Sequence, residues 1–190
     1  MLDRKIILAS SSPRRHELLK SAKIEFEVIK PTFDESTFEI KPEPKILEQL
    51  SLLKAKSITK NLSVSALVIS ADTVVILDDK IMGKPKDFDD ALTMWNDLNG
   101  KTHKVITSIC ILDTKTNKEY LTHDTTYVTF NTLTECEIVE YIQTKKPFDK
   151  AGAYGIQEIP KNFVKFLDGE FDNVMGLPTK ILINILKTII

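Results

Sequence analysis

Apolar positions along the chain fall into short clusters whose spacing switches between alternation or continuous runs and a helical period. Lys5–Ala9 and Glu25–Lys30 read as strands, separated by a helical pattern from His16 to Lys23. The acidic loop Phe33-Asp34-Glu35-Ser36 precedes a predicted helix from about Glu43 to Asn61. The run Ala66–Leu77 is apolar almost throughout and is broken only by polar residues that include Asp72. Asp87-Phe88-Asp89-Asp90 caps a helix reaching Leu98, which Asn99-Gly100 stops. Thr102–Asp113 and Lys118–Phe130 form a long hairpin turning at Thr116-Asn117. Thr134 caps the next helix, and Glu137 supplies the capping-box carboxylate three residues on. A Gly-rich, irregular stretch from Pro147 to Pro178 leads into a closing helix around 180–187. This order predicts an α/β protein: a mixed central sheet flanked by helices, in two lobes with a cleft between them. One domain spanning residues 1–190 accounts for it, without repeats or an interdomain linker.

Composition narrows the function. The 190 residues are 42% hydrophobic, enough for a sizeable core. Lys and Arg number 26 against 27 Asp and Glu, so the basic excess expected of a nucleic-acid-polymer binder is missing. Met1-Leu2-Asp3 leads into a strand without a signal-peptide pattern, and the closing helix is too short to span a bilayer. With Cys110 and Cys136 lacking any metal-ligand spacing, the expectation is a cytoplasmic protein with reduced, packed thiols.

Chemistry concentrates in a few places. In Ala9-Ser10-Ser11-Ser12-Pro13-Arg14-Arg15 a strand ends and a helix begins on hydroxyls and two guanidiniums. Ser12 suits the N-cap and Pro13 the first helical position. Free amides, the positive dipole end and Arg14 and Arg15 suit an anion rich in oxygens, phosphate above all; an ordinary capped helix with solvated arginines is the alternative. Asp72, inside an apolar strand, needs a cation, a metal or several donors; backbone amides at a strand break would also serve. A two-residue turn at Asp78-Asp79 sets Leu77 against Lys80, and counting back sets Lys84 against Thr73, beside Asp72. Lys54 lies on the apolar row Leu50–Ile58 of its helix and either snorkels to water or aims an ammonium at a phosphate. Glu35 sits in a loop, and Gln157 in the Gly-rich stretch offers a donor and an acceptor fit to read a nucleobase edge. His103 is expected to make structural bonds at a strand start.

Taken together and in order, these segments resemble the Maf family of nucleoside triphosphate pyrophosphatases. The matching residues are Leu8 to Arg15, Glu35, Lys54-Ala55, Ala71 to Val75, Gly83-Lys84-Pro85, Leu98 to His103, Asp149 to Gln157 and Asn173 to Pro178. The resemblance implies a Maf/ITPase-like fold and hydrolysis of a nucleoside triphosphate to monophosphate and pyrophosphate with Mg²⁺ or Mn²⁺. Ala153-Tyr154-Gly155-Ile156-Gln157 is similar to the dTTP/UTP branch, with Arg15, Thr73 and Gln157 as specificity residues. Three positions depart from the family pattern: Glu158 and Ser108 stand where glycine is expected, and Glu170 where a small residue is usual.

The implied mechanism has water attack the α-phosphate while Ser10, Arg14, Arg15, Lys54 and Lys84 spread the triphosphate's charge. The resemblance makes Asp72 the proton acceptor; its chemistry equally allows it to hold the metal with Glu35. Two other functions compete, namely a pyrophosphatase for 7-methyl-GTP or inosine-type triphosphates, and a non-catalytic nucleotide-binding regulator of septum formation. A homodimer is implied by the family and by the apolar final helix.

Overall fold

The computed structural model, which describes residues 4–60 and 62–189, carries strands at the long apolar and alternating runs and helices at the helical period. The strands are β1 (Lys5–Leu8), β2 (Glu27–Val28), β3 (Ala66–Leu77), β4 (Lys80–Met82), β5 (Thr102–Asp113), β6 (Lys118–Phe130) and β7 (Val164–Asp168). The helices are α1 (Pro13–Ser21), α2 (Pro44–Thr59), α3 (Phe88–Leu98), α4 (Glu135–Lys145), α5 (Phe171–Met175) and α6 (Thr179–Ile189). The sheet runs β2-β1-β3-β5-β6-β7, with β4 paired to β3. It is mixed: β1 is parallel to β2 and β3, whereas β3/β4 and β6/β7 are antiparallel.

Differences lie at the margins. The strand expected over Glu25–Lys30 shrinks to Glu27–Val28, both exposed, because it pairs only with the end of β1, at Ile7 and Leu8; Phe26 and Ile29 beside it still pack against the cores. The expected end of α2 at Asn61, and Met1 to Asp3, lie outside the described residues. The stretch from Pro147 to Pro178 is more regular than its glycines suggest. It contains β7, which hydrogen-bonds along β6, and the single turn α5. The hairpin register is as counted, Leu77 opposite Lys80, with Asp78 and Asp79 both at positive φ as such a turn requires. Cys110 is a packed thiol, but Cys136 is exposed on α4, contrary to expectation.

The chain forms two compact units, with β3, β5 and β6 contributing residues to each. The first draws on Met1–Asp72, Thr107–Asp124 and Gly176–Ile190. Here alternation along β3 sorts its residues between two cores. Leu67, Ile69 and Ala71 pack with Ile6 and Leu8 of β1, Leu19 of α1 and Leu182 and Leu186 of α6. Ala66 and Val68 pack with Ile7 and with Ala55 and Ile58 of α2. Period two therefore turns Ser70 and Asp72 to the α2 side.

The second unit draws on Thr73–Ile106 and Thr125–Met175. Trp95 on α3 is fully buried at its centre, stacked on Phe130 with ring centroids 5.0 Å apart. His103 lies in the same cluster, 2% exposed, with Nε2 2.8 Å from the Tyr154 hydroxyl. Burial pulls its pKa down from 6.5 to about 4. The folded protein thus holds His103 neutral while the unfolded chain protonates it near pH 6.5. Stability is full above that pH and falls as pH drops toward 4, by about 3 kcal/mol in all. Urea unfolding at pH 7 and pH 4.5 should show this loss, and His103→Gln should show less of it; equal losses in both proteins would refute the assignment. His103 is therefore a structural group, as the sequence indicates.

No helix among the described residues is long and apolar enough to cross a membrane.

Candidate active site

The site grows from three local decisions of the first unit. In the first, β1 ends and the chain turns into α1. Pro13 takes the opening helical position and Ser12 the cap position, although the Ser12 side chain makes no capping bond. Its backbone N–H donates instead to Ser10 Oγ at 3.2 Å. Ser10 is buried, and its carbonyl accepts from His16 Nε2 at 2.9 Å, one helical turn on. Arg15 Nη1 reaches Ser10 Oγ at 3.3 Å, and its Nε donates to the Gly176 carbonyl at 2.8 Å. The loop is thus closed on itself around one arginine. Desolvation lowers that guanidinium's pKa most; Asp72 opposes this, Arg14 reinforces it, and Glu35 opposes it. An arginine in such surroundings stays charged and gains from any anion that arrives.

The second decision concerns α2. Leu47, Ser51, Lys54, Ala55 and Ile58 are buried at helical spacing, so the stripe facing β3 contains a lysine among apolar and small residues. Lys54 is only 6% exposed, and it does not snorkel to water. Its Nζ bonds Asp72 Oδ1 and lies 3.0 Å from Glu35 Oε1. Three buried hydroxyls fix that stretch of helix against the strands. Ser70 donates to the Ser51 carbonyl at 2.5 Å, Ser51 and Ser108 Oγ meet at 2.7 Å, and Ser108 donates to the Leu47 carbonyl at 2.8 Å. Ser108, one of the departures from the family pattern, thereby secures the helix one to two turns before Lys54.

The third decision is the acidic loop. Asp34 accepts from Ser36 N at 3.0 Å and from Ser36 Oγ at 2.7 Å, which curls residues 35–37 into a single turn. Asp34 serves the loop, so Glu35 is the acid left to meet Lys54. Two carboxylates therefore converge on one ammonium. Lys54 and Asp72 are buried while the Glu35 side chain is half exposed, and removing one partner of a buried pair typically costs roughly 3–5 kcal/mol. Burial at this expense suits a polar site better than a structural strut.

The structure thus brings together Ser10, Arg15, Glu35, Lys54 and Asp72, with Arg14 beside Arg15 on α1. The ammonium on Asp72 belongs to Lys54, whereas counting along the hairpin offered Lys84. Antiparallel pairing stops at Val75↔Met82, short of Lys84, because Gly83 and Pro85 leave the strand. Lys84, Thr73 and Gln157 belong to the second unit. His16, Gly176 and the serine trio were not singled out from sequence as supports for these groups. Their signals in the sequence are a histidine four residues into a helix, serines within apolar runs, Ser108 in place of a family glycine, and Gly176 within the matched segment Asn173 to Pro178.

Around Gln157, the second unit holds an unusual backbone. Gly152 and Ala153 both have positive φ, 67° and 58°. A Cβ on Gly152 would come within 3.0 Å of Val75, so glycine is required there. Ala153 tolerates the left-handed conformation because Trp95 Nε1 donates to its carbonyl at 2.9 Å.

An arginine-closed loop at a helix start, together with a lysine shared by two acids, defines an α/β protein with a charged site in its first unit. The chain belongs to the family described as Maf-like protein, which it matches over residues 5–189. A relative named dTTP/UTP pyrophosphatase from Ruminiclostridium cellulolyticum is 43% identical over 97% of this chain and 95% of its own length. The protein of the same name from Thermosipho africanus is 51% identical over 92% of this chain and 87% of its own. Backbone likeness to solved structures is looser. The Ham1 protein of Staphylococcus aureus matches with TM-score 0.45 and 15% identity over 67% of this chain and 72% of its own, so family membership rests on sequence.

Proposed function

We propose that this chain hydrolyses dTTP and UTP to the nucleoside monophosphate and pyrophosphate, acting as one domain with two lobes. The convergence of Glu35 and Asp72 on Lys54, with Arg15 close by, carries the reading. The names of the relatives support the substrate class.

In this mechanism Arg14, Arg15 and Ser10 receive the phosphate oxygens at the start of α1, where backbone amides and guanidiniums favour anions. Lys54 holds Asp72 in one orientation, and Asp72 accepts the proton of the water that attacks the α-phosphate. Lys84 adds positive charge on the pyrophosphate side, and Thr73 and Gln157 contact the nucleoside. Donor chemistry at the first-unit acids also fits a hard divalent cation. Mg²⁺ is typically held by one or two carboxylates and completed by substrate phosphates, and Glu35 and Asp72 already share one cationic neighbour. Mg²⁺ or Mn²⁺, when bound, would polarise the phosphoryl oxygens.

Purified protein assayed for pyrophosphate release from dTTP, UTP, CTP, 7-methyl-GTP and ITP, with and without Mg²⁺ or Mn²⁺, tests this reading. The expected result is metal-dependent release with dTTP and UTP preferred. Binding without pyrophosphate release from any of them would overturn it in favour of a non-catalytic regulator, and preference for a purine would reassign the substrate.

A further inference from the structure

A second acid stands beside the residue assigned to the base. Glu158, half-buried, divides its carboxylate between two partners. Oε1 accepts from Gln157 Nε2 at 3.2 Å, and Oε2 lies 3.4 Å from Lys150 Nζ. Lys150 is itself buried and also pairs with Asp149 Oδ1 at 2.7 Å. Its stem lies directly on Gly155, where a Cβ would stand 2.9 Å from Lys150 Cε and 3.3 Å from Glu158 Cδ. The turn beneath is fixed as well. The Gly155 carbonyl accepts from Glu158 N at 2.8 Å and Ile159 N at 3.2 Å, and Gly155 N donates to the Tyr141 hydroxyl at 3.0 Å. Glu158 is therefore anchored from behind by a buried ammonium and from below by its own backbone.

A carboxylate only accepts hydrogen bonds, so of the two ends of the Gln157 amide it holds the NH₂ and not the carbonyl. This matters because the ends of an amide are nearly the same shape, and flipping them exchanges donor for acceptor. One order of donor and acceptor fits a ring N–H beside a carbonyl, the imide edge of thymine and uracil. The reverse order fits a ring nitrogen lone pair beside an amino group, the edge of cytosine. Unanchored, Gln157 could serve either base by rotating. With one Nε2 hydrogen tied to Glu158, the amide presents Oε1 and its second N–H in one fixed order, and that order meets a ring N–H beside a carbonyl and not a ring lone pair beside an amino group.

We propose that Glu158 is a positioning residue for base selection, holding the Gln157 amide in the order that accepts an imide N–H and rejects cytosine. This rests on the reading of Gln157 as the base contact.

The test compares dTTP with dCTP in Glu158→Gln, whose side chain can accept or donate and so permits both orientations of Gln157. The dTTP-to-dCTP ratio of kcat/KM should fall about tenfold, the equivalent of one neutral hydrogen bond. The change should appear in KM for dCTP, with kcat for dTTP within about twofold and the fold retained, since Lys150 keeps Asp149 as its partner. Glu158→Ala should lower the ratio similarly, and it replaces the glutamine variant should that one fold poorly. Gln157→Leu serves as the control. If it changes the ratio and neither Glu158 variant does, the positioning role is overturned while the base contact stands. An equal loss with both nucleotides in the Glu158 variants marks a merely structural acid and also overturns the proposal. An unchanged ratio in Gln157→Leu removes the base contact and this inference with it.

Discussion

Replacing Asp72 by asparagine should lower pyrophosphate release by about 10²–10⁴-fold, the usual worth of a positioned proton acceptor, while nucleotide affinity stays within a few-fold. Asparagine keeps the size of the side chain and an oxygen for Lys54, so the serine-clamped helix has no reason to move. What it loses is negative charge and the capacity to take a proton. A binding titration alongside single-turnover kinetics separates the two quantities. Retention of more than about a tenth of the wild-type rate would remove Asp72 from the chemistry and leave it as a counter-ion of Lys54. A large loss of affinity with an unchanged rate constant would instead make it a binding group.

Trp95→Ala should destabilise the protein by about 3–5 kcal/mol, the range for deleting a fully buried large aromatic. The indole stacks on Phe130 at 17° between planes and meets Tyr141, Tyr154 and Phe163 at steep angles, so truncation leaves a void that four rigid rings fill poorly. It also removes the donor on the Ala153 carbonyl, the contact that offsets the left-handed backbone there. Urea unfolding measures the cost. Hydrogen exchange should show the loss of protection reaching residues 151–157 as well as α3. A cost below about 1 kcal/mol would mean that the cluster repacks, against the close packing described.

Most of the fold could be read directly from the chain because its signals are local. β3, β5 and β6 carry long apolar or alternating runs, and Asp87 and Thr134 are side-chain caps whose partners, Asp90 and Glu137, sit three residues away. Failures came where structure depends on distant partners. Isolated, Val164–Asp168 is an unremarkable pentapeptide; it is a strand because β6 lies alongside. The same division holds for the site. Ser10 and Arg15 are neighbours in sequence, and their contact follows from a strand meeting a capped helix. Lys54 on an apolar row and Asp72 in an apolar strand each looked costly alone, but their pairing across 18 residues required the α2–β3 packing. Counting along the nearer hairpin gave Lys84 instead, because pairing rules extend a ladder that Gly83 and Pro85 cut short.

The hydroxyl trio of Ser51, Ser70 and Ser108 makes the chemistry heir to the interior. In the proposed mechanism Lys54 takes its position from buried hydroxyls, so damage to catalysis need not strike where substrate binds. A methyl group gained or a hydroxyl lost deep under α2 would misaim the ammonium while leaving the surface intact, and evolution can tune the rate from there without redesigning the mouth of the site.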